Sequence, residues 1–86
     1  MKKREIREQP KFTSELKALV PDSREADELL RDATAFLSHL AETGTQIAGT
    51  DIFIKIVSDI QRTRWLVIFY TIDNGIVSLH SISSFR

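Results

Sequence analysis

The chain has no cysteine, a single methionine, three glycines and two prolines in 86 residues, and its positive and negative side chains cancel to a formal net charge of zero. Without cysteine there is no disulfide framework, no thiol nucleophile and no zinc–thiolate site, a composition that suits a reducing cytoplasm. His39 and His80 are the only histidines, so neither a histidine-based metal site nor a cofactor is expected. The longest nearly unbroken apolar stretch, Trp65 to Ile72, falls far short of the ~18–20 residues that a membrane span needs. Met1-Lys2-Lys3-Arg4 runs into Glu5 and Arg7 rather than an apolar segment, so no signal peptide and no membrane association are expected. The missing positive balance argues against a broad phosphate-binding surface, because nucleic-acid binders usually carry a basic stripe on a basic whole.

What is present reads as one soluble domain spanning residues 1–86, with 42% hydrophobic and 28% charged residues. A chain this short buries only about 60–65% of its unfolded surface, so its core must be compact. Charge is unevenly placed. Lys2, Lys3, Arg4, Arg7 and Lys11 dominate the amino end, acids dominate from Asp22 to Glu42, and beyond that Lys55, Arg62, Arg64 and Arg86 stand apart. The charged first half reads as solvated helix surface.

Lys2 to Gln9 alternates around Ile6 and stops at Pro10, which predicts a short edge strand. Phe12, Leu16, Leu19 and Val20 then fall on one helical face, with Thr13 or Ser14 as the cap and Pro21 as the stop. Asp22-Ser23-Arg24-Glu25 reads as the capping box of a second helix. Its apolar stripe is Ala26, Leu29, Leu30, Ala33, Leu37 and Leu40, with Phe36 at the margin. Gly44 is the expected left-handed stop, and Thr43 to Thr50 a loop.

From Ile52 the period changes to two. Ile52, Ile54, Ile56 and Ile60 share one face of a strand, and Phe53, Lys55, Val57 and Asp59 the other. With the isoleucine row turned to the helices, Lys55 would point to an open sheet face. After the short connection Gln61-Arg62-Thr63, the segment from Arg64 to Ile72 is apolar on both sides, as a central strand is. Asn74-Gly75 supplies the two positive φ angles of a type I′ hairpin turn. In the last strand the alternation slips between Leu79 and Ile82, which predicts a bulge at His80 or Ser81. The expected fold is α+β, in the order β-α-α-β-β-β, with a helical hairpin on one face of a small, mainly antiparallel sheet.

The strand "IFIKIV" and the hairpin "RWLVIFYTIDNGIVSLHSI", taken with size and element order, resemble the RelE/ParE superfamily of toxins from type II toxin–antitoxin modules. The "GIVSLH" segment is most similar to the HigB branch. The resemblance covers nearly the whole chain and implies the toxin of such a module. The first expectation is a RelE/HigB-like, metal-independent mRNA endonuclease acting at the ribosome. The alternatives are a ParE-like toxin that inhibits DNA gyrase without cutting RNA, and an inactive member of the fold that serves as a binding partner. A cognate antitoxin is the implied partner in each case, and an isolated chain of this size is expected to be prone to dimerise.

Metal-free RNA cleavage needs basic groups converging on one phosphate and a proton carrier within hydrogen-bond reach. By position the resemblance assigns Lys55 and Arg64 to catalysis, with His80 and Tyr70 as proton carriers, and Arg62 and Arg86 to substrate binding. Each also has a structural role open to it. Tyr70 shares a face with Leu66 and Ile68 and suits the core; His80 suits a half-buried place at the bulge; Arg62 and Arg64 suit a solvated turn. Trp65 and Phe69 read most simply as core. Lys55 is the unexpected one, a cation between two isoleucines.

Overall fold

The computed structural model describes residues 4–58 and 63–85; Asp59, Ile60, the connection residues Gln61 and Arg62, and Arg86 lie outside them. The fold is α+β. Strand β1 (Glu5–Glu8) leads to helix α1 (Pro10–Leu19) and helix α2 (Ser23–Leu40), which ends in a 3-10 turn over Ala41–Thr43. Strands β2 (Thr45–Gln46), β3 (Phe53–Ser58), β4 (Trp65–Asp73) and β5 (Ile76–Phe85) follow. The sheet order is β1-β5-β4-β3-β2, so β4 is central as its two apolar faces require. β1 pairs with β5 in parallel and every other pairing is antiparallel.

Local chemistry accounts for most boundaries, and some differ from expectation. α1 begins at Pro10, behind Gln9, rather than at Thr13 or Ser14. Proline belongs in a first helical turn, where its missing N–H has no partner to lose. Asp22 caps α2 as expected, its carboxylate accepting from the amides of Arg24 and Glu25 at 2.9 and 3.2 Å. Gly44 is not a left-handed stop, since its φ is −68°. The segment expected to be wholly loop contains β2, whose Thr45 and Gln46 pair with Ile54 and Phe53.

Asn74 and Gly75 both have positive φ, 52° and 78°, as the expected hairpin turn demands. The bulge lies at His80: Phe69 pairs with Ser81 and Tyr70 with Leu79, leaving His80 as the extra residue. That one residue resets the alternation, so Val77, Leu79 and Ile82 all reach the core. Their partners are Leu66, Ile68 and Tyr70 of β4 and, from the helices, Phe12, Leu16, Ala26, Leu29, Ala33 and Leu37. A fully buried ring such as Phe12 contributes about 1.5–3 kcal/mol. α1 lies over β5, and the backbone N–H of Arg4 donates to the Ser38 carbonyl at 2.9 Å, tying the start of the chain to α2.

The orientation of β3 is the main correction. Phe53, Lys55 and Val57 stand opposite Tyr70, Ile68 and Leu66, and directly opposed residues share a face. The row containing Lys55 therefore looks toward the helices, while Ile54 and Ile56 share the uncovered face with Trp65, Val67 and Phe69. Helix-facing residues of the central strand settle this. Tyr70 and Ile68 fill the space beneath the helices, and the register carries Lys55 with them.

Candidate functional site

Between α2 and β3 the two layers stand apart and leave a groove of about 420 Å³. Leu29, Asp32 and Phe36 line it from α2, Lys55 and Ser58 from β3, and Trp65 closes one end. The Lys55 ammonium lies 3.9 Å from the centre of the Phe36 ring, within cation–π range. Among the described residues no carboxylate pairs with Lys55. A second hollow of about 240 Å³ continues past Phe36 and Lys55 to Gly44 and Thr45. Trp65 is 57% exposed, not core, and Ile56 beside it is 41% exposed.

The other candidates lie elsewhere. Tyr70 is fully buried beneath the helices. Its hydroxyl donates to the Ala41 carbonyl at 2.7 Å, and its ring stacks on Phe53 with centroids 5.5 Å apart. Desolvation pushes its pKa above the ordinary tyrosine value. His80 is exposed on the uncovered face, hydrogen-bonded through Nε2 to the Thr71 hydroxyl at 2.8 Å. It stands on the side of the sheet opposite to Lys55. Arg64 donates through its guanidinium to the Leu19 carbonyl, at the carbonyl end of α1, where a cation suits the helix dipole. Lys55 pairs with Ile68 and Arg64 precedes Trp65, which separates them by roughly 13 Å along the strand. Arg62 and Arg86 lie outside the described residues.

Glu15 of α1 was not singled out by the sequence, yet its carboxylate bridges the helix and the last strand. One of its oxygens accepts from the Ser81 hydroxyl at 2.7 Å and from the Ile82 amide at 3.1 Å. β1 reaches only as far as Leu79 along β5, with Gln9 adding one bond to the Leu79 carbonyl. Glu15 thus satisfies a strand-edge amide that β1 does not reach. The Ser81 hydroxyl first, then the Ile82 amide, hold its pKa below the ordinary carboxylate value, and Lys11 adds to that.

Two further features escaped sequence reasoning. Phe36 read as a marginal helix residue, and only the register of β3 brings it to Lys55. Trp65 read as core because its strand is apolar on both faces, although it begins that strand beyond the cover of the helices. Among the described residues no group of three or more His, Asp or Glu side chains is arranged to hold a metal ion, and no helix is long and apolar enough to cross a membrane. Compared with models of protein families, with curated proteins and with solved structures, the chain matches none.

Proposed function

We propose that the chain is a cytoplasmic toxin of the kind its sequence resembles, partnered by a cognate antitoxin, and that it acts by binding a protein rather than by cutting RNA. What supports this reading is the placement of the nominated catalytic groups. Lys55 lies on the helix side of the sheet, His80 on the other side, Tyr70 in the core and Arg64 at the end of α1. Cleavage would need such groups within hydrogen-bond reach of one phosphate. The ParE-like, gyrase-directed mode and the inactive binding partner share this expectation and differ in whether growth stops.

The mRNA endonuclease is the second reading, on one observation. Lys55 and the exposed indole of Trp65 border the same groove, and single-stranded RNA favours a cation beside an aromatic platform. Expression in bacteria, with supercoiling by purified gyrase assayed in parallel, separates the alternatives. Growth arrest with inhibited supercoiling supports the gyrase-directed mode. No arrest, together with stable capture of a neighbouring-gene product, supports the inactive binding partner. Arrest with normal supercoiling and broken transcripts supports the endonuclease and overturns the binding reading.

A further inference from the structure

The edge of β3 is only partly covered. β2 pairs with Phe53 and Ile54 and no further, because the chain before Thr45 turns away at Gly44 into the 3-10 turn. The Ile52 carbonyl accepts from the Ile47 amide at 2.8 Å, on the β2 side. By the alternation of an antiparallel strand, Ile54, Ile56 and Ser58 point their backbone groups the same way. Past Ile54, nothing among the described residues pairs with that edge. A strand edge with free N–H and C=O groups is a template for one more strand.

The surroundings narrow what that strand can be. The groove opens along this edge, lined by Leu29, Phe36 and Lys55 on the helix side, with the exposed side chains of Ile56 and Trp65 at its rim. An added strand would send alternate side chains into the groove and onto the Ile56–Trp65 surface. Among the described residues no carboxylate pairs with Lys55, and Asp32, one helical turn before Phe36, supplies negative charge to the same groove. The four residues from Asp32 to Phe36 rise about 6 Å and two strand residues span about 6.7 Å, so the two charges match alternate positions of a strand.

The geometry points to strand addition at Ile56–Ser58 by an extended segment of a partner protein, bearing a carboxylate opposite Lys55 and a neutral or basic residue two positions away, opposite Asp32. This inference rests on the reading that the chain works by binding a protein, and it specifies where and how. A second copy of this chain would compete for the same edge, and the test below tells the two apart.

The test uses the full chain, labelled with 15N, and a phage-displayed library of random short peptides as the probe. Selected sequences are expected to alternate apolar residues with an acid at a fixed position, and the synthetic peptide should slow exchange of the Ile56 and Ser58 amides. N-methylation of alternate peptide nitrogens should weaken binding by about tenfold or more, as lost backbone hydrogen bonds would. Ser58→Pro removes an outward N–H while an edge position tolerates proline, and it should weaken binding similarly. Lys55→Glu should exchange the selected acid for Lys or Arg.

Failure to enrich peptides, perturbation centred on Thr71 and His80, or indifference to N-methylation would overturn the proposal. So would protection of the Ile56 and Ser58 amides without peptide in a dimer, which would give the edge to a second copy. If the antitoxin or gyrase binds while this edge stays exposed, the binding reading stands and only the strand-addition site falls.

Discussion

The hydroxyl of Tyr70 occupies the space that a side chain on Gly44 would need. A Cβ at Gly44 would overlap the phenolic oxygen and lie 3.1 Å from both the ring carbon that carries it and the Ile54 carbonyl. Glycine is required here by close approach, not by a left-handed backbone. Through Ala41, Gly44 and Ile54, one buried phenol holds the end of α2 against the start of β3, the hinge line of the groove.

Gly44→Ala is therefore expected to cost on the order of 1–3 kcal/mol through overpacking, and Tyr70→Phe about 1 kcal/mol through the lost bond to Ala41. The two should not add. Removing the hydroxyl makes room for the methyl, so the double variant should be more stable than the sum by at least about 0.5 kcal/mol. Urea unfolding of the four proteins measures this, and strict additivity would contradict the contact.

Glu15 gives a pH signature. Its folded pKa is lowered by the Ser81 hydroxyl and the Ile82 amide, so its stabilisation is present above the ordinary carboxylate value. It is lost as pH falls through that value, about 4.3, toward the lower folded one. Thermal unfolding between about pH 6 and pH 3 should show a shallower acid decline in Glu15→Gln than in the parent. Gln keeps an acceptor for the amide but cannot titrate. Identical slopes would mean that the carboxylate does not favour the folded state.

Lys55 and Phe36 should be coupled. A double-mutant cycle with Lys55→Met and Phe36→Leu, which keep apolar bulk, is expected to return about 0.5–1 kcal/mol. A coupling indistinguishable from zero would leave Lys55 free of the ring in solution and weaken the case for a preformed cationic groove.

How much of this was legible in the sequence follows from the range of the interactions. The capped start of α2 at Asp22, the Asn74-Gly75 turn and the bulge at His80 depend on neighbours within a few residues, and all three stand as read. The face of β3 does not. An alternating strand with Ile54 and Ile56 on one side and Phe53 and Val57 on the other offers two apolar faces. The choice is made by register against Tyr70 and Ile68. The site inherited that ambiguity, since the same register sends Lys55 under α2 rather than onto the open face. Glu15 and Ser81 lie 66 residues apart in the chain, beyond the reach of any local pattern.

Trp65 reports on the groove directly, being the only tryptophan. Its emission should resemble that of a largely solvated indole and shift to shorter wavelength when a peptide or protein occupies the β3 edge. Trp65→Ser should change stability by less than about 0.5 kcal/mol, as exposed substitutions usually do. A buried-type emission in the free chain, or a large loss of stability, would contradict the exposed placement.

Mapping transcript ends in bacteria expressing the chain tests the central claim most directly. The expected result is intact mRNA in cells expressing the parent protein, unchanged in Lys55→Ala and Arg64→Ala, whether or not growth stops. New transcript ends that appear with the parent and vanish with either substitution would contradict it, and would establish cleavage by residues that the fold holds apart.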